Sequence, residues 1–353
     1  MKEKLPDKSN LDSLRLVETL TFKDWWHLLT RYTSVVESND KTRTALRIMA
    51  HRGFRHLPVV NKGNLEGIVS AGDLIETLVG RSTYSGTEDV PFPDLMLDVT
   101  TSANYLVSSL DDFVSSITNK NPITISPNHT ILDAIRIISQ KNIGSLLIVE
   151  GEHAKEARET LSSVKSIEDK KSSGKLVGIV TLRDIVSILA AYSPFGVRVE
   201  ECMTERVATI DERDTIFSAM VLMSREKVRR LPVVSHLNRD ETGSSLRGMV
   251  TNKMILRYLE SIISYEMLDM AQAIKQPVRI LMQFPMAMID PKEDCGNAAY
   301  LMRDLGTGGF AVVDSRGLVG VITERDLVRR VYEKEGLSFF TELFEKGNAR
   351  MMI

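Results

Sequence analysis

Gly67-Ile68-Val69-Ser70-Ala71-Gly72-Asp73 is a seven-residue phrase that recurs, with small changes, four times along the chain. The other copies are Gly178-Ile179-Val180-Thr181-Leu182-Arg183-Asp184, Gly248-Met249-Val250-Thr251-Asn252-Lys253-Met254 and Gly320-Val321-Ile322-Thr323-Glu324-Arg325-Asp326. Each runs from Gly through two apolar residues to Ser or Thr, and three of them end on Asp. Recurrence of this kind indicates an array of similar structural units rather than one large domain.

The sequence before each phrase repeats as well. A short extended segment is followed by a stretch with apolar residues three and four apart, and then by an apolar run such as Leu57-Pro58-Val59-Val60. In every copy, 21 positions separate the end of the extended segment from the start of the apolar run. The phrase adds a third strand and an amphipathic helix, so the pattern predicts a β-α-β-β-α unit of the α/β (α+β) class.

The unit boundaries follow from these patterns. We predict repeats at 24–80, 118–192, 197–260 and 277–334, with a packed connector at 81–117 and helical spacing over Leu106 to Ile117. The hairpin of the second repeat carries a polar insertion at 151–175, which is typical of a solvated loop. The C-terminal segment from Gly336 contains Phe339, Phe340 and Phe344 and is left open as a docking element or a mobile surface.

Composition restricts the function further. The 353 residues carry a formal net charge of −2, which points neither to nucleic acid nor to an acidic tail. No apolar run approaches a membrane span, and the N-terminus lacks a signal-peptide pattern, so we expect a cytoplasmic protein. The sequence leaves a monomer and a homodimer as open alternatives. Cys202 and Cys295 lie far apart in sequence and the histidines are scattered, so no metal site is expected, and no catalytic motif is present.

With these features, residues from about Thr30 to Glu333 resemble four cystathionine-β-synthase (CBS) domains. Four such repeats resemble the gamma subunit of AMP-activated protein kinase and its archaeal relatives. The resemblance implies that repeats one and two, and repeats three and four, pair into two Bateman modules that stack into a disc, with ligand clefts between repeats. It also implies a regulatory role without catalysis, and AMP, ADP or ATP as the bound ligand.

The resemblance assigns roles to the ends of the phrase. It implies that Asp73, Asp184 and Asp326 bind the ribose of an adenine nucleotide, since a carboxylate can accept hydrogen bonds from two vicinal hydroxyls. It places the hydroxyls of Ser70, Thr181 and Thr323 near a phosphate at the start of a helix.

A second interpretation of the same residues stays open. Ser or Thr three positions before Asp, ahead of an apolar helix, is also a capping-box pattern that needs no ligand. The third repeat keeps Thr251 but has Met254 in place of the acid, so we expect that repeat to fold without a carboxylate and to lack an ordinary ribose site. This difference favours ligand binding at the other three Asp residues.

Basic and small residues before the central strands complete the candidate site, because a phosphate in a cleft needs paired charge. The candidate cations are Arg55, His56, Arg183, Arg229, Arg230 and Arg325. A solvated basic face is the alternative for each of them. The corresponding places in repeats two and four hold the small residues Gly144, Ser145, Gly308 and Gly309, which could admit a ligand or simply form a turn.

We therefore expect a ligand-dependent sensor that binds an adenine nucleotide and regulates a protein partner of unknown identity. Two alternatives keep the same fold: a module for S-adenosylmethionine or a dinucleotide, and a ligand-free scaffold. An enzyme with such repeats as its regulatory part would need an additional barrel of roughly 200 residues. No segment of the chain outside the four repeats approaches that length.

Overall fold

The computed structural model describes residues 21–22, 34–80, 99–150, 174–235, 245–265, 269–284 and 286–351. Nearly all of the predicted insertion at 151–175 lies outside these ranges, as does the first part of the connector. Within the described ranges, no helix is both long and apolar enough to cross a membrane.

The β-α-β-β-α unit predicted from the sequence is confirmed in the first pair of repeats. The first repeat consists of β1 (Val36–Glu37), α1 (Thr42–Arg52), β2 (His56–Asn61), β3 (Asn64–Ser70) and α2 (Ala71–Val79). The connector supplies α3 (Val99–Ser109) and α4 (Val114–Ile117). The second repeat consists of β4 (Thr124–Ile125), α5 (Ile131–Lys141), β5 (Ser145–Glu150), β6 (Lys175–Thr181) and α6 (Leu182–Leu189).

The second pair of repeats has the same order of elements. After a short helix α7 (Val199–Cys202), the third repeat consists of β7 (Ile210–Asp211), α8 (Ile216–Arg225), β8 (Arg230–Ser235), β9 (Ser245–Thr251) and α9 (Asn252–Tyr265). Helix α10 (Met270–Lys275) follows. The fourth repeat consists of β10 (Met288–Ile289), α11 (Cys295–Asp304), β11 (Gly309–Asp314) and β12 (Gly317–Thr323). A π-helical turn, Asp326–Arg330, then leads into α12 (Val331–Met351).

Each repeat forms a three-stranded sheet with one register. The first strand pairs in parallel with the second, and the second pairs antiparallel with the third. The parallel partners are Val36 with Val59, Ile125 with Ile148, Ile210 with Val233 and Ile289 with Val312. The constant spacing in the sequence therefore sets the same crossover helix and the same strand pairing in all four units.

Two kinds of contact assemble the repeats. Strand β3 packs against β6, and β9 packs against β12, so repeats one and two form one module and repeats three and four form the other. Helices join the modules: α1 and α2 pack on α9 and α8, and α5 and α6 pack on α12 and α11. The buried apolar side chains consequently form two cores, one shared by repeats one and three and one shared by repeats two and four. The predicted pairing into two modules is confirmed, and each core spans both modules.

The glycine that opens the phrase has a steric role. Asn119, just ahead of the second repeat, forms an antiparallel bridge with Ile68 of the first. A Cβ atom on Gly67 would lie 2.3 Å from the Asn119 carbonyl oxygen, so no other residue fits without a shift. Equivalent crossings occur beside Gly248 and Gly320, where the approaching segments contain Gln283 and Thr204. The segment ahead of one repeat thus extends the sheet of the repeat it pairs with.

The connector packs against the protein, as the sequence predicts, but its helices have different limits. The expected helix over Leu106 to Ile117 is divided between α3 and α4, and both Leu106 and Val114 are fully buried. Leu110, between the two helices, donates its backbone N–H to the Leu106 carbonyl, and the chain turns there.

The C-terminal helix belongs to the core. Phe340 and Phe344 are fully buried, and the Phe344 ring meets Tyr192 edge to face with centroids 4.8 Å apart. Phe339 is half-buried and lies 6.2 Å from the ring of Phe195. The sequence alternatives of a docking element or a mobile surface are therefore wrong for these aromatic residues, because the helix turns them toward repeat two.

Candidate functional site

The capping interpretation of the phrase is correct at all three Asp residues. The backbone N–H groups of Ser70 and Thr181 donate to Oδ2 of Asp73 and Asp184 at 2.7 Å. Thr323 donates in the same way to Oδ2 of Asp326 at 2.8 Å. Each carboxylate therefore stabilises the start of a helix through Oδ2, and its second oxygen, Oδ1, takes no part in the cap.

The third repeat shows that the acid is dispensable for the fold. There the Thr251 hydroxyl accepts a hydrogen bond from the Met254 backbone N–H at 3.3 Å, so half of the capping arrangement persists. Strand β9 and helix α9 form as in the other units. The expectation that this repeat folds without a carboxylate is confirmed.

The three Asp residues differ at Oδ1. Among the described residues, Oδ1 of Asp73 and Oδ1 of Asp184 accept no hydrogen bond, and each of these residues lines a cavity. In contrast, Oδ1 of Asp326 lies 3.3 Å from the Thr204 hydroxyl and 3.2 Å from Arg330 Nε. A ribose at Asp326 would have to displace both partners, whereas Asp73 and Asp184 offer an oxygen without such competition.

The first cavity, of about 220 Å³, lies at the second repeat. Thr181 and Asp184 form one side, the loop Arg52–His56 of the first repeat forms another, and Arg229 and Glu324 reach it from repeats three and four. Burial raises the pKa of Asp184, while hydrogen bonds from Thr181 oppose this shift. Its carboxylate is therefore short of hydrogen-bond donors, which the hydroxyls of a ligand could supply.

The second cavity, of about 430 Å³, lies at the first repeat. Ser70 and Asp73 line it together with Asn142, Lys227 and Arg325. Four residues line both cavities: Arg55, His56, Gly144 and Arg229. We call these four residues the shared wall. Ligands in the two cavities would therefore meet the same cationic surface.

A buried carboxylate neutralises part of this cationic region. Glu324 accepts two hydrogen bonds from Arg55, at 2.7 and 2.8 Å, and a third from Arg183 Nε at 3.1 Å. Its side chain is only 4% exposed. Burial on its own would raise the pKa of Glu324, but the charges of Arg55, Arg183 and Arg230 hold it at about 2. The carboxylate is therefore ionised at neutral pH.

Arg229 has no such partner. In the described part of the chain it makes no hydrogen bond or ion pair with a carboxylate, although it is half-buried. Burial and the like charges of Arg325 and Arg55 lower the pKa of Arg229 to about 9. The guanidinium thus remains a cation at neutral pH in a place that disfavours cations, and an anion beside it would relieve the repulsion.

His56 is a neutral side chain in the folded protein, not the cation that the sequence predicts. Burial, together with Arg229 and Arg55, lowers the pKa of His56 to about 3. The imidazole is therefore neutral at pH 7 and can meet a phosphate as a hydrogen-bond donor rather than as a cation. The sequence places it among cations, but only the tertiary structure shows that those neighbours suppress its charge.

Of the three remaining predicted cations, two line a cavity and one does not. Arg183 lines the first cavity, and Arg325 lines the second, where its Nη1 donates to Asn142 Oδ1 at 3.1 Å. Arg230 instead lies against the small residues of the fourth repeat: a Cβ atom on Gly309 would stand 2.5 Å from its Nη1. Gly308 is approached by the same side chain. These two glycines make room for Arg230.

The small residues of the second repeat have a related place. A Cβ atom on Gly144 would lie 3.1 Å from Arg229 Nη2 and 3.2 Å from His56 Nε2. Gly144 and Ser145 both line the second cavity. Gly144 therefore allows the basic side chains of the shared wall to approach the backbone closely.

Sequence reasoning missed several residues of the site. Glu324, Lys227, Asn142 and Arg52 line the cavities without having been predicted. One signal was available for Glu324: its position in the phrase is occupied by Ala71, Leu182 and Asn252 in the other copies. An acid at a position that is otherwise uncharged indicates a role other than folding.

Comparison with known proteins agrees with this architecture. Residues 27–80, 114–155, 199–261 and 278–333 match the family described as CBS domain. A Thermofilum pendens protein, described as an uncharacterized 33.4 kDa protein in a ribosomal RNA operon, is 28% identical over 313 residues, which are 88% of this chain and 91% of that protein. Protein MJ1225 of Methanocaldococcus jannaschii is 24% identical over 294 residues, 81% of this chain and 91% of its own length.

Two crystal structures have the same fold. That of MJ1225, which is described as a proposed archaeal homologue of the gamma subunit of AMP-activated protein kinase, superposes with a TM-score of 0.66 and 21% identity, covering 86% of this chain and 98% of the other. A Pyrococcus horikoshii protein of uncharacterized function superposes with a TM-score of 0.50 and 18% identity, covering 86% and 97%. Because the family matches extend over more than half of its length, this chain belongs to the CBS domain family and contains four CBS domains.

Proposed function

We propose that this protein is a regulatory subunit or sensor that binds AMP, ADP or ATP in the clefts at Asp184 and Asp73, and that it has no catalytic activity of its own. CBS domains bind adenosine-containing regulatory ligands. The finer assignment to phosphorylated adenosine rests on the geometry of the two cavities. Bound nucleotide would influence a protein partner by favouring one arrangement of the modules over another.

The main support for this proposal is that both cavities are lined by the shared wall. Arg229 brings a cation without a carboxylate partner to both cavities, and Arg55 and His56 bring further hydrogen-bond donors. Across each cavity, an Asp offers one oxygen that accepts no hydrogen bond from the described residues. A ligand with an anionic group at one end and vicinal hydroxyls nearby satisfies both sides, as a nucleoside phosphate does.

The same wall argues against S-adenosylmethionine as the ligand. That molecule has a carboxylate that a guanidinium could bind, but its ammonium and sulfonium groups give it a net positive charge, which is less favourable beside Arg229 and Arg55 than the net negative charge of a nucleotide. A ligand-free scaffold explains the packing of the modules but not a half-buried guanidinium that pairs with no carboxylate among the described residues. We therefore favour nucleotides as the ligand class. Binding of a third ribose at Asp326 stays a prediction, and it requires Thr204 and Arg330 to move away from the carboxylate.

A matched pair of variants tests the proposal. Asp184→Ala and Asp133→Ala each remove the acid of a capping box, since Thr130 donates to Asp133 Oδ2 at 2.9 Å at the start of α5. Only Asp184 lines a cavity. Calorimetric titration with AMP should show binding weakened at least tenfold, or one site lost, in Asp184→Ala and unchanged in Asp133→Ala, because hydrogen bonds to a charged group contribute about 1.5–3 kcal/mol each.

Three other outcomes would refute the proposal. Equal affinities in the two variants would mean that Asp184 only caps its helix. Binding of S-adenosylmethionine in preference to AMP would replace the ligand class. An absence of heat and of any change in melting temperature with every adenosine ligand would favour the scaffold.

A further inference from the structure

Glu324 is a buried acid that the fold does not require. Its counterparts in the other copies of the phrase are Ala71, Leu182 and Asn252, and all four residues are at most 4% exposed. The three uncharged residues show that the strand-to-helix junction forms without a carboxylate at this position. Burying an ion is unfavourable unless it is paired, so the acid in the fourth repeat is explained by its partners.

Those partners belong to the clefts of the other module. Arg55 comes from the first repeat and Arg183 from the second, and both line the first cavity with Thr181 and Asp184. Arg55 meets Glu324 through two parallel hydrogen bonds of 2.7 and 2.8 Å. This fork geometry is the one that a guanidinium also uses for a phosphate. Glu324 itself lines the same cavity.

We propose that Glu324 is an internal counter-ion that competes with a ligand's phosphate for Arg55 and Arg183. The inference rests on the proposed function and adds to it a residue that determines specificity. A phosphate reaching the two arginines must displace the carboxylate or share them with it at close range, which is repulsive. Glu324 therefore lowers the affinity for phosphorylated adenosine and leaves the affinity for adenosine itself unaffected.

The competition also links the two modules. Glu324 follows strand β12 and lies two residues before Asp326, whose carboxylate accepts a hydrogen bond from the Thr323 backbone N–H at the start of the next helical turn. Its backbone N–H donates to the Gly308 carbonyl at 3.2 Å, and Arg230 packs on Gly308. Release of the Glu324 side chain by a phosphate in the first module would thus alter the charge balance around Arg230 in the second module. Only phosphate-bearing ligands would have this effect.

The test compares AMP with adenosine in the full-length protein. Calorimetric titration of Glu324→Gln should show AMP bound at least tenfold more tightly than by the wild type, and adenosine bound within twofold. The matched control is Glu260→Gln, which removes another buried acid that lies 3.0 Å from a basic partner, His51 Nε2. Glu260 lines neither cavity, so both affinities should stay at wild-type values.

Unchanged or weaker AMP binding by folded Glu324→Gln would overturn the inference, and so would equal tightening of AMP and adenosine. If Glu324→Gln does not fold, Glu324→Asp decides, because it keeps the charge but shortens the reach to Arg55. It should tighten AMP binding about threefold, and weaker or unchanged binding overturns the inference.

A wild type that binds none of AMP, ADP, ATP and adenosine would refute the proposed function alone. The competition is then judged with inorganic phosphate. It is supported if phosphate raises the melting temperature of Glu324→Gln more than that of the wild type, and it is overturned if the two rises are equal.

Discussion

Replacement of Arg229 by Gln should make the protein more stable and its nucleotide binding weaker. The guanidinium is half-buried and has no carboxylate partner among the described residues, and its neighbours Arg325 and Arg55 repel it. These effects lower the pKa of Arg229 to about 9. In the unfolded chain the ordinary arginine pKa is higher, so at neutral pH both states are protonated and the native state carries the full penalty, which begins to decrease only above about pH 9.

The magnitude follows from the pKa. Each pKa unit corresponds to about 1.4 kcal/mol, so a value of about 9 sets an upper limit of about 5 kcal/mol on the destabilisation. Partial exposure screens the charge, and Gln loses some packing of the arginine stem. We therefore expect Arg229→Gln to raise the free energy of unfolding by about 1–2 kcal/mol in nucleotide-free protein.

Binding should change in the opposite direction. A saturating ligand at 100 times its dissociation constant stabilises a protein by about 2.7 kcal/mol. Loss of one charge-assisted contact weakens binding roughly 10- to 100-fold, so about 1.3–2.3 kcal/mol of that stabilisation should vanish in the variant at the same ligand concentration.

Denaturant unfolding with and without AMP measures both effects. Arg316→Gln is the control, because Arg316 is exposed and, among the described residues, pairs with Asp314 alone, at 2.6 Å. It should change neither quantity by more than about 0.5 kcal/mol. A less stable Arg229→Gln protein that binds AMP normally would show that the arginine is structural and that the anion-binding account of the shared wall is wrong.

Three further predictions concern pH, close approach and the C-terminal helix. Because the pKa of His56 is about 3 when folded and about 6.5 when unfolded, the unfolded chain binds more protons as the pH falls below 6.5. From pH 6.5 to pH 5 the wild type should therefore lose up to about 2 kcal/mol of stability that His56→Gln retains; parallel pH profiles in chemical denaturation would contradict this. Gly67→Ala should destabilise the protein by about 1–3 kcal/mol because its Cβ meets the Asn119 carbonyl oxygen at 2.3 Å, whereas Gly72→Ala, in a helix and with no atom nearer than 3.4 Å, should be neutral or stabilising. Thermal unfolding would refute the steric argument if both changes had the same sign. Phe344→Ala should lower the unfolding free energy by about 3–5 kcal/mol, since the ring is fully buried against Tyr192, and a loss below 1 kcal/mol would mean that the helix does not pack.

The repeat architecture could be predicted from the sequence because its determinants are local. The spacing from Val36 to Leu57 recurs in all four units and fixes a helix of constant length between two parallel strands. The caps at Ser70 and Thr181 are also local, since donor and acceptor lie three residues apart. The two interpretations of the Asp residues are compatible, because one carboxylate oxygen of Asp73 and Asp184 caps the helix while the other accepts no hydrogen bond from the described residues, and both residues line a cavity.

The electrostatics of the site could not be predicted in the same way. Arg55 and Glu324 are 269 positions apart, and their pairing depends on how the modules stack. The hydrogen bond from the Thr204 hydroxyl to Asp326 likewise joins distant segments. The ion pair between Asp326 and Arg330, in contrast, joins residues four positions apart and could have been predicted from the sequence. The neutral state of His56 follows from burial among cations that repeats one, three and four supply. Sequence patterns therefore identified some of the residues that line the two cavities, but not which of them are paired.

A crystal structure of the protein grown with AMP would show whether nucleotides bind in the two cavities. We expect ribose hydroxyls within hydrogen-bond distance of Oδ1 of Asp184 or Asp73, and a phosphate against Arg229 on the shared wall. An adenine ring against Arg229, or AMP bound only outside the two cavities, would contradict this expectation.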